Sequence, residues 1–221
     1  MQQRLVFIVE GDCEVAFINK KVIPYLYASA ARNGEGWTMN VQKITTNRKL
    51  NKSGGNVSYA YLRNEINRVA AQENVWITTF MDFFRLPKDF PFYSTDSKDI
   101  GKIEEEIKEN VGYEQILPYI QKYEFETLLF SSLEGFRYVL DDDSSLNKVE
   151  KIIADYPCVE DINGGSETSP SKRLGNIWNY DKVPDSDIIL SELHIEDILA
   201  KCPRFKEWID KLLKIINRVS N

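Results

Sequence analysis

The stretch RLVFIVEGDCEVAF, residues 4–17, decides the fold. Leu5 to Val9 is a short, uninterrupted apolar run rich in Val, Ile and Phe, which is typical of a strand buried on both faces. Gly11 allows the chain to turn sharply into a helix. We therefore expect Glu10 at the carboxyl end of a central strand and Glu14 in the first turn of the next helix. Ligands of open α/β sheets bind at that edge.

A second stretch repeats this pattern. Residues 75–81, VWITTFM, are typical of a second buried strand, and they run directly into Asp82. Two strands that are separated by helices and that each end in an acid favour parallel βαβ pairing. The carboxyl ends of parallel strands meet at one edge, so Glu10 and Asp82 are predicted to lie there together.

A third junction and a polar loop carry further candidates. Glu124 and Glu126 precede the apolar run of QKYEFETLLFSS, residues 121–132, where they are either site residues or ordinary helix-dipole partners. The loop INGGSETSPSKRLGNIW, residues 162–178, predicts a helix that starts with Ser169 as N-cap and Pro170 in the first position. Cations in that first turn oppose the helix dipole, so helix stability alone does not explain them. The segment is therefore either a phosphate-binding site or a plain surface loop. The candidate phosphate contacts are Ser171, Lys172 and Arg173.

The remaining pattern predicts helices, strands and two loops of open function. Helices are expected at 14–31 (kinked or split at Pro24), from the N-cap Ser58 through Gln72 (Tyr61 inward), at 100–111 (Glu104 on the solvated face) and at 188–221 (broken near Pro203). Strands are expected at 38–45 and 116–120. The basic loop at 46–59 is either a surface loop or an arm that contacts a phosphate backbone. Aromatic residues of the loop at 83–99 either pack onto the body or stack on bases.

Length and composition limit the class of protein. The chain has 221 residues and a formal net charge of −6, which predicts one domain and no global basic surface for nucleic acid. We expect an α/β core at 1–130 and a helical extension at 131–221. The lone histidine, His194, argues against a histidine-based zinc site and against Ser-His-Asp chemistry. Three isolated cysteines, with neither a signal peptide nor a long apolar segment, predict a cytoplasmic protein without a membrane span.

The acids suggest a metal site. Several carboxylates at one sheet edge cannot all stay ionised without a counter-charge, and a hard divalent cation such as Mg²⁺ or Mn²⁺ is the usual one. Such a site suits phosphoryl transfer, in which Lys172 and Arg173 could stabilise charge on the phosphate.

Four segments resemble the bacterial family called domain of unknown function 4276. They are EGDCE at 10–14, TTFMDFFRLPKDFP at 78–91, YEFETLLF at 123–130 and INGGSETSPSKRL at 162–174. The similarity extends over residues 4–178. The pattern also resembles the Toprim domain of topoisomerases, primases and overcoming-lysogenization-defect nucleases. It implies a Toprim-like, Rossmann-like fold with a mainly parallel sheet of about four strands, flanked by helices and followed by a helical part.

The resemblance also implies a ligand set and a function. It implies metal ligands at Glu10, Glu14, Asp82 and Glu126, with Glu167, Lys172 and Arg173 nearby. Phe84 stands where Toprim enzymes have a second acid, so the metal count depends on whether Glu124 or Glu126 replaces it.

We expect a nuclease that acts on DNA or RNA, in phage defence beside an ATPase partner protein, with homodimer formation left open. A non-catalytic binding module and a hydrolase of small phosphorylated molecules are the alternatives. A Mn²⁺-dependent change in thermal stability separates the first alternative from an enzyme, and a closed small pocket would favour the second.

Overall fold

The computed structural model describes residues 2–47, 52–53, 57–162, 165 and 167–219. The chain forms two compact units. The sheet unit comprises Met1–Gln121 with Leu212–Asn221, and the helical unit comprises Lys122–Lys211. The fold is of the predicted α/β class, with a mainly parallel sheet flanked by helices and further helices toward the C-terminus. Arg48 and Lys49 of the basic loop lie outside the described residues.

Most described strands belong to one parallel sheet. The strands are β1 (Gln3–Val9), β2 (Trp37–Lys43), β3 (Thr45–Asn47), β4 (Lys52–Ser53), β5 (Val75–Asp82), β6 (Ile116–Leu117) and β7 (Ile120–Gln121). The sheet runs β2-β1-β5-β6, β7 also pairs with β5, and all of these pairings are parallel. β3 and β4 form a separate antiparallel pair.

The central position of β1 follows from its sequence. Residues Leu5 to Val9 are all buried, as expected for a strand with neighbours on both sides and layers on both faces. Val9 lies opposite Lys43 of β2 and opposite Phe80 of β5. The carboxyl ends of three neighbouring strands are therefore level at one edge.

The strand predicted at 116–120 is two short strands because Pro118 interrupts it. Proline has no N–H to donate to a ladder. The Thr79 side chain bridges the gap, since its hydroxyl donates to the Tyr119 carbonyl and accepts from the Tyr119 N–H, both at 2.8 Å. Pairing then resumes between Asp82 and Gln121, which holds the end of β5 in the sheet.

The helices of the sheet unit follow the predicted positions, with an interruption at the first. They are α1 (Asp12–Phe17), α2 (Ile23–Ser29), α3 (Tyr59–Ala70) and α4 (Ile100–Val111), with a π-helical turn at Ile18–Val22 between α1 and α2. Where a kink or split was predicted at Pro24, the structure has this π-helical turn, which ends two residues before the proline. Because Pro24 cannot donate a hydrogen bond to the preceding turn, the wider turn lies directly before it.

Two details of the predicted helix faces are wrong. Tyr61 is 43 % exposed, because Tyr59, Leu62 and Ile66 form the inward face of α3 and Tyr61 lies beside that face. Glu104 is not on a purely solvated face of α4. Its carboxylate accepts the Ile120 N–H at 2.7 Å and so satisfies a backbone group at the start of β7.

The helical unit is built from short helices. They are α5 (Asp143–Asp155), α6 (Pro170–Gly175), α7 (Lys182–Glu192), α8 (Ile195–Lys201) and the first part of α9 (Pro203–Val219), together with 3-10 helices at Phe125–Ser131, Glu134–Tyr138 and Val159–Asp161. The residues of α9 from Leu212 onward belong to the sheet unit. Residues 125–131 are all buried and form a 3-10 helix where the pattern predicted an ordinary helix. The breaks at Pro203 and the start of α6 at Pro170 agree with the prediction. Over the described ranges, none of the helices combines the length and apolar character that crossing a membrane requires.

Candidate functional site

The first candidate region is the carboxyl edge of β1 and β5 in the sheet unit. Asp82 is the last residue of β5, and Glu10 lies in the bend directly after β1. Because Val9 pairs in parallel with Phe80, both acids lie at the same edge, on strands about 4.8 Å apart. Both are partly buried. The predicted common edge for Glu10 and Asp82 is therefore present.

Glu14 lies on the same side of the sheet as Asp82. The Phe17 and Phe80 rings are in contact, with centroids 5.7 Å apart, and this contact packs α1 against that face of β5. Asp82 lies two residues beyond Phe80, on the same face, because strand side chains alternate. Glu14 lies three residues before Phe17, one helical turn nearer the edge, and is buried. The packing thus directs Glu14 and Asp82 toward the same end of the same face.

Gly11 makes room for the Glu14 carboxylate. A methyl group added at Gly11 would lie 2.8 Å from Glu14 Oε2, closer than real side chains allow. Gly11 is the N-cap of α1, and Glu14 is the third residue of that helix. Glutamate at this position commonly reaches back to the N-cap backbone in a capping box. The position of Glu14 therefore fits both a structural cap and a ligand beside Asp82.

A lysine at the same edge was missed in the sequence. Lys43, the last residue of β2, lies opposite Val9, and its ammonium forms an ion pair with Asp12 at 2.5 Å. The only signal for it was a polar residue that ends an alternating strand. The edge therefore carries a cation as well as acids.

In the helical unit, Glu124 caps the start of α6 through Ser171, which lies 47 positions later in the chain. Its carboxylate accepts the Ser171 N–H and the Ser171 hydroxyl, both at 2.9 Å. The Ser169 hydroxyl lies 3.3 Å from that of Ser171. The donor groups of Ser171, which the sequence suggested for phosphate, thus already bind a buried carboxylate.

Glu126 is almost fully buried beside a lysine. Only 1 % of its surface is exposed, and Lys182 Nζ lies 3.3 Å from Oε1 and 3.4 Å from Oε2. Within the described residues, Oε1 has no partner in hydrogen-bond geometry. Burial raises the pKa of Glu126, Lys182 opposes that rise, and the neighbouring Glu124 adds to it. Burial therefore disposes Glu126 to keep its proton at a pH where an exposed glutamate is ionised.

Arg173 holds the polar loop in place. Its Nε donates to the Thr168 carbonyl at 2.8 Å, and Nη2 donates to the Tyr156 hydroxyl at 3.1 Å. The guanidinium also lies 5.3 Å from the centre of the Tyr156 ring. Lys172 and Glu167, by contrast, are exposed. The two cations of this segment therefore have different surroundings.

The predicted site residues fall into two sets. Glu10, Glu14 and Asp82 belong to the sheet unit, and Glu124, Glu126, Glu167, Ser171, Lys172 and Arg173 belong to the helical unit. Across the part of the chain that the structure describes, no three His, Cys, Asp or Glu side chains are grouped so that they could hold a metal ion. Mg²⁺, however, is commonly bound by one or two carboxylates together with waters and substrate phosphates. The paired acids of the sheet edge fit that requirement.

These features define an α/β protein whose parallel strands end in acids at one edge. A family model described as Domain of unknown function (DUF4276) matches residues 9–213, and the chain belongs to this family. The family expected from the sequence motifs is thus confirmed. Neither the curated proteins nor the solved structures contain a match to the chain.

Proposed function

We propose that this protein is a Toprim-like nuclease that hydrolyses phosphodiester bonds of DNA or RNA with Mg²⁺ or Mn²⁺. The observation that carries the proposal is the pairing of β1 with β5, which brings Glu10 and Asp82 to one edge. Glu14 supports it, because Glu14 is buried on the Asp82 side of the sheet. A strand that runs into Glu-Gly and a neighbouring strand that ends in Asp also underlie the resemblance to Toprim domains.

Each residue has a defined role in this proposal. Glu10 and Asp82 hold the cation through carboxylate oxygens, the ligands that Mg²⁺ and Mn²⁺ prefer. When bound, the cation lowers the pKa of a water ligand and offsets negative charge on the phosphate. Glu14 orients or completes the ligand set. Lys43, whose ammonium already pairs with Asp12, adds positive charge at the edge that the phosphate approaches.

The test is cleavage of single-stranded and double-stranded DNA and of RNA by the purified full chain in Mn²⁺. Glu10→Ala and Asp82→Ala should each lower the cleavage rate by more than about a hundredfold, since each removes a group that the charged transition state requires. The matched control is Glu73→Ala, which removes an exposed acid that precedes β5, at the opposite end of that strand from Asp82. We expect its rate to stay within about threefold of the wild type.

Two results would contradict the proposal. Unchanged cleavage in both Glu10→Ala and Asp82→Ala would show that the chemistry lies elsewhere. Absence of cleavage in the wild type, together with the same thermal unfolding temperature in Mn²⁺ and in EDTA, would favour a non-catalytic binding module.

A further inference from the structure

The loop that follows Asp82 contains both buried and exposed aromatic residues. Phe83 and Phe90 are buried, and the Phe90 ring packs on Tyr59 with centroids 5.5 Å apart. Phe92 and Tyr93, in contrast, are 48 % and 38 % exposed. The inner aromatics anchor the loop on the sheet unit, so packing does not account for the outer pair.

Phe92 is held in an unfavourable backbone conformation. Its φ of 51° lies in the left-handed region, which bulky residues rarely adopt and which costs free energy. Lys102 Nζ lies 5.2 Å from the centre of the Phe92 ring, and Asp99 holds that ammonium at 3.0 Å. The fold thus keeps an exposed ring in place with a cation beside it.

The segment that carries these rings is tied down by local hydrogen bonds. The Tyr93 N–H donates to the Phe90 carbonyl at 3.2 Å, and the Ser94 hydroxyl donates to Asp99 at 2.8 Å. The Asp96 carboxylate accepts the Lys98 N–H at 2.9 Å. A ligand that stacked on Phe92 and Tyr93 would meet a backbone segment that is already held by hydrogen bonds, which lowers the entropic cost of association.

We propose that Phe92 and Tyr93 form a stacking platform for the unpaired bases of single-stranded nucleic acid. The proposal rests on the proposed function and names the form of its substrate. Aromatic faces accept any base, and nearby cations follow the phosphate backbone. Exposed lysines lie within the same stretch, at Lys88, Lys98 and Lys102, and Arg85 lies 5.0 Å from the Phe84 ring. The stretch also carries Asp89, Asp96 and Asp99, and Asp99 binds Lys102, so its charge is mixed. The choice of nucleic acid as the ligand therefore depends on the exposed rings and on their place in the chain. The loop also starts directly after Asp82, at the proposed catalytic edge.

The test is fluorescence anisotropy of labelled oligothymidylate with the full chain in EDTA, so that binding is measured without cleavage. Phe92→Ala should weaken binding about tenfold, and the Phe92→Ala, Tyr93→Ala double variant should weaken it further. Phe92→Trp should retain binding, because a larger ring still stacks. The control is Tyr138→Ala, which removes a tyrosine that is 63 % exposed in the helical unit and should change nothing.

Several results would contradict the stacking platform. The platform is overturned if the wild type does not bind, if Phe92→Ala binds as the wild type does, or if duplex DNA depends equally on Phe92. Circular dichroism shows whether Phe92→Ala folds, and if it does not, the test passes to Tyr93→Ala, which should weaken binding several-fold. Phe92-dependent binding without cleavage in Mn²⁺ would support the platform and contradict the nuclease. Cleavage that depends on Glu10, together with binding that does not depend on Phe92 or Tyr93, would support the nuclease and contradict the platform.

Discussion

The two units differ in what surrounds their carboxylates. In the helical unit, buried acids cap helices: Glu160 accepts the Arg204 and Phe205 N–H groups at 2.9 and 3.0 Å, and Glu124 accepts from Ser171. In the sheet unit, Glu10 and Asp82 instead follow the ends of parallel strands. A helix start supplies backbone donors for a carboxylate, whereas the end of a parallel strand is where ligands bind.

The comparison shows that burial alone does not separate structural acids from candidate ligands. Glu160 and Glu14 are both buried, yet Glu160 lies at the first turn of α9 and Glu14 lies beside the end of β5. The strand end or helix start that an acid adjoins is the better guide to its role. Glu14 adjoins both the start of α1 and the side of the sheet that carries Asp82, so its role needs a substitution to decide. Substitutions should therefore affect stability most in the helical unit and activity most in the sheet unit.

The largest stability effect is expected at Glu160. Glu160→Ala removes the acceptor of two backbone N–H groups at the buried start of α9 and should lower the free energy of unfolding by about 3 kcal/mol. Urea denaturation of the purified variant measures this loss. Glu160→Gln keeps an acceptor oxygen and should cost less. The contrast between the acids of the two units would be wrong if Glu10→Ala destabilised the protein as much as Glu160→Ala does.

A smaller, pH-dependent effect is expected at Glu126. Because burial raises its pKa in the folded protein, the folded state binds more protons than the unfolded state between the ordinary and the raised pKa. Stability of the wild type should therefore fall as pH rises through that window. Glu126→Gln does not titrate, so its stability relative to the wild type should rise as pH rises above the ordinary pKa of glutamate.

Urea unfolding at several pH values measures the Glu126 effect. The control is Glu134→Gln, since Glu134 is exposed and pairs only loosely with Arg137 at 3.6 Å. That variant shows how much of any pH dependence comes from replacing a glutamate as such. If Glu126→Gln instead lost stability relative to the wild type as pH rose, the pair with Lys182 would outweigh burial.

Much of the sheet unit was predictable because its signals are local. The apolar runs that precede Glu10 and Asp82 identify β1 and β5, and the helix at Ile100–Val111 has the predicted bounds. The parallel pairing of β1 with β5 follows from general rules of chain connection. The common edge for Glu10 and Asp82 therefore follows from the amino-acid sequence and those rules together.

The helical unit was less predictable because its contacts join distant residues. The bond from Ser171 to Glu124 spans 47 positions, and the pair of Lys182 with Glu126 spans 56. Both acids looked like ordinary first-turn residues of a helix, and nothing nearby in the sequence indicates their partners. Lys43 escaped notice for the same reason, since its position beside Val9 depends on strand register.

The smallest stability effect, and the sharpest test of the edge, is expected at Gly11. Its backbone is extended, with φ −137°, so alanine is tolerated there and stability should change by less than about 1 kcal/mol. The added methyl group would nevertheless lie 2.8 Å from Glu14 Oε2 and force that carboxylate to move. Gly11→Ala should then weaken Mn²⁺ binding, measured by calorimetry, about tenfold. Gly101→Ala, where a methyl group meets nothing within 4 Å, is the matched control. Unchanged Mn²⁺ affinity in Gly11→Ala would leave Glu14 with the role of a helix cap alone.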